Sequence, residues 1–219
     1  MAAASEPLLQ ATGIEKAYGR HRVLRGVDLA VSAGQLAAVV GENGAGKSTL
    51  LRILAGTLAA DGGQVRLAGT LGYCPQEPVL NDNLTVAQHL RYFAAAHGLA
   101  TLDLADELLD SLGCQRYRDQ VAGTLSGGTR QKLNLTLALL HDPDVLLLDE
   151  PYQGFDWETY LRFWDLATQL RDRGKAIVII THLVFEEERF DVLEDLKEGR
   201  LRPRSATGDP TGKDHHVRT

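Results

Sequence analysis

Gly41-Glu42-Asn43-Gly44-Ala45-Gly46-Lys47-Ser48 stands between an apolar run, Leu36 to Val40, and a helix-like run, Thr49 to Ala55. The stretch fits G-x-x-x-x-G-K-[ST] in the strand-to-helix setting that a phosphate-binding P-loop requires. Its glycines let the backbone turn tightly enough to aim N–H groups inward. The helix starting near Lys47 adds the positive end of its dipole, so the loop attracts anions before any side chain acts. Lys47 then supplies a point charge for β- and γ-phosphates, and Ser48 a hydroxyl for Mg²⁺. A Gly-rich turn matching by accident is the alternative, and the flanking strand and helix argue against it.

The chain has 219 residues, enough for one large domain or two intimate lobes around a sizeable core. Its hydrophobic content of 44% and charged content of 24% are those of an ordinary globular protein. A net charge of -6 and pI near 5.6 offer no general attraction to nucleic acid or anionic lipid, so no nucleic-acid partner is expected. Cys74 and Cys114 are far apart and have no second ligand at metal-site spacing, which reads as two reduced thiols. Met1 to Gln10 lacks the basic-then-apolar pattern of a secretory signal. The longest apolar runs fall far short of the ~20 residues that span a bilayer. A cytoplasmic location is the expectation.

Leu8 to Thr12 and Val23 to Val31 read as short strands, and Tyr18 in the turn between them could either stack on a flat base or pack locally. Leu36 to Val40 is a buried strand, Gly56 caps the P-loop helix, and Asp61-Gly62-Gly63 reads as a hairpin-type turn before Val65 to Leu67. After the strand Leu71 to Cys74 the period becomes helical. Thr85 with Gln88 forms a capping box for a helix ending at Gly98, and Leu104 to Leu112 forms a second helix. Both His89 and His97 read as surface or packed histidines. Leu125-Ser126-Gly127-Gly128 precedes a third helix, either as a second anion nest or as a simple N-cap.

Val145 to Leu148 is a continuous apolar strand that delivers Asp149 and Glu150 at its C-terminal end, the edge on which parallel sheets bind ligands. Trp157 to Arg173 is an amphipathic helix, Ala176 to Ile180 a buried strand, and Thr181-His182 ends on the same edge. Glu186 to Glu188 reads as a solvated helix face, Val192 to Leu201 as a closing hairpin, and residues 203–219 as a disordered tail.

Two phosphate nests, an Asp-Glu strand end and a strand-end His, in this order, resemble the ATPase subunit of the ATP-binding-cassette family from about Leu8 to Leu201. The resemblance implies an α/β fold: a P-loop NTPase core with a mixed sheet, an N-terminal antiparallel β-subdomain and an inserted α-helical signature subdomain. Residues 1–202 would form one ATPase domain, with the core at about 8–75 and 142–202 and the helical lobe at about 76–141. It also assigns roles. Gly41, Glu42, Asn43, Gly44, Ala45, Gly46, Lys47, Ser48 and Thr49 would hold the phosphates of ATP, and Tyr18 would stack on adenine. Mg²⁺ would be met by Ser48 and Gln76 directly and by Asp149 through water. Glu150 would activate the attacking water, with His182 and Lys47 stabilising charge. Ser126, Gly127 and Gly128, with the D-loop residue Asp156, would act across a head-to-tail dimer on the ATP of a second copy.

This sequence departs from the family at Thr129, where Gln is usual, and at Tyr152 and Phe155, which replace a small residue and a Leu and would alter the dimer interface. Tyr73 to Pro78, Asn83 to Val86 and Arg91 to Phe93 are similar to ATPase subunits of ABC-2-type exporters. That likeness implies a separate integral-membrane permease docking near Gln76 to His97, with Arg91 and Phe93 in the contact, and places the chain peripherally on the inner face of the cell membrane. An ATP-driven clamp on a macromolecular partner and a nucleotide-binding scaffold without turnover are the alternatives. Long coiled-coil insertions or basic stripes would mark the clamp, and neither is visible. Intact Glu150 and His182 speak against the scaffold.

Overall fold

A computed structural model describes residues 6–182 and 186–204. The expected tail therefore lies outside the described residues, apart from its first two positions, and those belong to the fold: Pro203 ends a strand and the Arg204 amide donates to the Leu193 carbonyl.

Strands β1 (Pro7–Tyr18) and β2 (His21–Ser32) form one long antiparallel hairpin around a tight turn at residues 19–20, longer than the short strands expected. Strand β3 (Leu36–Val40) enters the main sheet and leads through the P-loop into helix α1 (Lys47–Leu54). After α1 comes β4 (Gly62–Leu67), which pairs with the other edge of β1 and completes a three-stranded antiparallel sheet in the order β2-β1-β4. The hairpin-type turn expected at Asp61-Gly62-Gly63 is therefore corrected, because both glycines lie inside β4. They are required by a close approach rather than by a turn. At Gly63, with φ +83°, a Cβ would come within 2.4 Å of the Gly13 carbonyl oxygen, where β1 bulges. Asp61 instead ties the sheet together, accepting from Lys16 Nζ and the Ala17 amide, each at 2.7 Å.

Strand β5 (Leu71–Cys74) opens onto a helical stretch of α2 (Val86–Ala96), α3 (Asp103–Ser111) and α4 (Gly127–Leu139). The capping box at the start of α2 is formed in both directions: the Gln88 amide donates to Thr85 Oγ1 and the Thr85 amide to Gln88 Oε1. His89 is buried and packed, accepting at Nε2 from the Asn81 amide. The chain then runs through β6 (Val145–Asp149), α5 (Trp157–Asp172), β7 (Ala176–Thr181), β8 (Val192–Lys197) and β9 (Arg200–Pro203).

The six-stranded sheet has the order β5-β6-β7-β3-β8-β9, parallel except for β9. Strands β3, β6 and β7 are buried at every position, which is why their sequences are unbroken apolar runs rather than alternating ones. Alternation persists in which core each residue joins. Val145 and Leu147 pack with Leu50, Leu51 and the N-terminal sheet, while Leu146 and Leu148 pack with α2 to α5. Each buried Leu or Ile contributes about 1.5–3 kcal/mol of apolar transfer energy. With both faces of the sheet so covered, its C-terminal edge is fixed in place, and the polar residues that follow β3, β5, β6 and β7 meet there.

Candidate nucleotide site

The loop from Gly41 to Gly46 can close only with glycine at two of its positions. A Cβ at Gly41 would lie 2.7 Å from the Leu196 carbonyl oxygen, and one at Gly46, whose φ is +103°, would lie 2.6 Å from Val23 Cγ1. Gly46 is also the N-cap of α1, with no side-chain cap and no acid in the first turn, so the leading N–H groups of the helix point into the loop. Lys47 folds back over this loop, donating to the carbonyls of Gly41 at 2.7 Å and Glu42 at 2.9 Å, and is only 7% exposed.

Lys47 shares one cleft of about 480 Å³ with Asn43, Gly44, Gly46, Ser48, Thr49, Gln76, Asp149 and Glu150. The P-loop, the end of β5 and the end of β6 thus converge as the sequence suggested. His21 and Val23 of β2 also line this cleft, and sequence reasoning missed both. Their position follows from the hairpin register, which sets His21 opposite Tyr18. Tyr18 itself stands half-exposed at the hairpin tip with Lys16 Nζ 5.9 Å from its ring centre, outside the cleft lining. Glu42 and Ala45 line an adjoining hollow with Lys197, Glu198 and Arg202.

Asp149 is 3% exposed, with the Ser48 side chain beside it. Burial is the largest influence on its carboxyl and, with the neighbouring Glu150, holds its pKa above the usual carboxylate range despite Ser48 and Lys47. The sign is fixed by linkage. A carboxyl whose pKa rises on folding favours the native state below its ordinary range, and that contribution is lost as pH rises through the raised value. Asp149→Asn is therefore expected to raise the thermal midpoint of the nucleotide-free chain at pH 7, with the difference vanishing toward pH 3; melts across that range check this.

Glu150 adopts φ +47°, a left-handed conformation that costs a non-glycine residue about 1–3 kcal/mol. It is held there from three sides: its amide donates to the Ile180 carbonyl at 2.9 Å, Oε1 lies 2.8 Å from His182 Nδ1, and Oε2 accepts from Thr181 Oγ1 at 3.4 Å. The bend turns the carboxylate off the strand axis, so Asp149 and Glu150, though adjacent, serve different parts of the cleft.

The remaining expected residues are not brought into the cleft. Ser126 caps α4, accepting from the Thr129 amide at 3.3 Å, with Thr129 Oγ1 2.9 Å away, so Thr129 completes the cap. Gly127 and Gly128 follow as the first residues of α4. Asp156 caps α5, accepting from the Thr159 amide at 2.8 Å and its hydroxyl at 3.1 Å, and the amide bond holds its carboxyl below the usual range. Sequence reasoning also missed Lys132, a buried cation of α4 that donates to Thr159 Oγ1 at 2.8 Å and lies 3.8 Å from the Asp156 carboxylate. Both cysteines are buried free thiols, and burial pushes Cys114 up to about 11, which suits inert core residues.

Residues 24–153, which run from β2 through the P-loop and α4 to the bend after β6, match the family described as ABC transporter. The chain belongs to that family. As an ABC ATPase subunit it is similar to the Nod factor export ATP-binding protein I of Burkholderia orbicola, 36% identical over 203 residues that cover 85% of this chain and 67% of the relative. The chain thus spans about two thirds of that relative's length. A solved ATP-binding subunit of an ABC transporter superposes with a TM-score of 0.83 at 28% identity, covering 89% of this chain and 88% of the other. The cassette solved as "Dimeric Structure of MJ0796, a Bacterial ABC Transporter Cassette" shares the fold, with a TM-score of 0.83 at 22% identity over 92% of this chain and all of the other. ABC ATPases hydrolyse ATP.

Proposed function

We propose that this ABC ATPase drives export through a separate integral-membrane permease, hydrolysing ATP in a head-to-tail dimer. The observation that carries the chemistry is the pair of acids at the end of β6, one against Ser48 and one against His182, facing the cleft that holds Lys47. Gly41 to Thr49 would wrap the phosphates, with Tyr18 on the rim for the base. A buried carboxylate beside a hydroxyl and an amide oxygen in one cleft is a hard-oxygen set that suits Mg²⁺, so Ser48, Gln76 and Asp149 would hold it. When bound, Mg²⁺ supplies charge neutralisation on β- and γ-oxygens.

Glu150 would accept a proton as water attacks the γ-phosphorus. The new P–O bond forms as the bond to the β–γ bridging oxygen breaks, and that oxygen leaves with the electron pair on ADP. Lys47 and His182 hold the charge on the transferred group. Ser126, Gly127, Gly128 and Asp156 do not line their own cleft, which supports their acting on the nucleotide of a second copy.

Export is supported by the Nod factor export relative. No helix among the described residues is long and apolar enough to cross a membrane. The region Gln76 to His97 offers an outward face for the permease, with Val79 80% and Tyr92 69% exposed beside exposed Arg91. Phe93, expected in that contact, packs half-buried against the helical core, which leaves Arg91 and Tyr92 as the outward pair.

The test is to tag the chain, extract host membranes in mild detergent and identify co-purifying proteins with and without ATP. A stoichiometric polytopic membrane protein is expected, and Arg91→Glu should abolish its recovery while basal phosphate release persists. Recovery with ribosomes, DNA or nothing would overturn the exporter reading and favour the clamp.

A further inference from the structure

Tyr152 stands two residues beyond Glu150, where the family resemblance leads one to expect a small side chain. Its ring is boxed by aromatic residues: Tyr160 at 5.4 Å between centres, Phe163 at 5.6 Å and Trp164 at 5.9 Å. The box leaves the phenol oxygen little freedom, and it donates to Thr181 Oγ1 at 2.9 Å. Burial pushes the phenol up to about 12, so it stays protonated and a donor across the working pH range.

A hydroxyl carries one proton and accepts through its lone pairs. The Tyr152 proton occupies a lone pair of Thr181 Oγ1, and the threonine hydroxyl in turn donates to Glu150 Oε2 at 3.4 Å. We propose that Tyr152 is a positioning residue for ATP hydrolysis, acting through Thr181 to hold the Glu150 carboxylate on the side opposite His182. It does not line the nucleotide cleft. Its effect is to polarise the Thr181 hydroxyl and fix the carboxylate rotamer, so that one Glu150 oxygen is engaged by His182 and the other by Thr181. A small residue at position 152 could not reach Thr181 from this loop. The departure from the usual sequence thus has a use inside the subunit, rather than only at an interface between copies.

The inference rests on the proposed role of Glu150, and the experiment separates the two. Tyr152→Phe keeps the ring in its aromatic box and removes only the donor. In the ATPase reaction of the full chain it should lower kcat about fivefold to tenfold, the size of one lost hydrogen bond in a network, with KM for ATP within about twofold. Thr181→Val should lower kcat by a similar factor, and adding Tyr152→Phe to it should cause no further loss, because the phenol then has nothing to relay through. Tyr160→Phe, a change in the same box outside the relay, should leave kcat unaltered.

A wild-type kcat in Tyr152→Phe would overturn the relay. So would additive losses in the double variant, or a loss that appears in KM or tracks thermal stability alone. Glu150→Gln is measured alongside. If it is inactive while Tyr152→Phe is normal, only the relay falls; if it retains turnover, the assignment of Glu150 falls first.

Discussion

Replacing Glu150 with Gln should lower ATP turnover by about 10²–10⁴-fold, the range a positioned general base contributes, while ATP binding survives. The substitution is nearly isosteric and keeps one acceptor oxygen of the two that His182 Nδ1 and Thr181 Oγ1 meet, the other becoming an amide donor. The left-handed backbone at position 150 is no worse for Gln than for Glu, since its amide bond to Ile180 is unchanged. What disappears is the capacity to take a proton from water. Because the P-loop, Lys47, Ser48 and Asp149 are untouched, the variant should accumulate as an ATP-bound dimer, visible as a doubled mass in size-exclusion chromatography with ATP and Mg²⁺. Unaltered turnover would remove Glu150 from the base role. Lost ATP binding would mean that the acid supports the cleft rather than the chemistry.

Much of this site was legible in the sequence because its parts are local. The runs Leu36 to Val40, Val145 to Leu148 and Ala176 to Ile180 are apolar at every position, which marks parallel strands covered on both faces, and each delivers its polar residues immediately afterward. The P-loop and the Thr85–Gln88 box are likewise complete within a few residues.

What stayed hidden depends on distance along the chain. Tyr152 and Thr181 are 29 residues apart, and Lys132 and Thr159 are 27, so no spacing rule joins either pair. Asp61-Gly62-Gly63 failed for a related reason. Two glycines after an acid have the composition of a turn, but Gly63 is small because β1 bulges against it at Gly13, a contact set by strand pairing. His21 was overlooked beside the more conspicuous Tyr18, although in an antiparallel hairpin the two are register partners and only the fold decides which of them faces the P-loop.

Gly128 shows the same limit, and its replacement by Ala should be nearly as damaging as the loss of Glu150. A Cβ on Gly128 would stand 2.3 Å from the Gly154 carbonyl oxygen, a backbone atom that can move only if residues 151–156 move with it. Gly154 has φ +78°, and the same loop is tied to α4 by Lys132, which bonds Thr159 and lies beside Asp156. The start of α4 and the loop after Glu150 are therefore one packed unit, and Ala at position 128 wedges it open from inside. Overpacking of this kind costs about 1–3 kcal/mol, enough to lower the thermal midpoint without unfolding the chain. If Ser126 to Gly128 act on the nucleotide of a second copy as proposed, a displacement of about 1 Å there should cost about 10²-fold in kcat. Calorimetric ATP affinity of the monomer should be unchanged, because Gly128 does not line the P-loop cleft. Turnover within a few-fold of wild type would show that the loop yields to the added methyl group, and that the start of α4 and the loop do not move as one body. Lys132→Met separates the two contributions. It keeps an unbranched side chain but removes the ammonium that lies 5.8 Å over the Phe155 ring and releases Asp156, so a loss of turnover shared by both variants would place the coupling in the packed unit as a whole, whereas a loss confined to Gly128→Ala would place it in the backbone contact with Gly154.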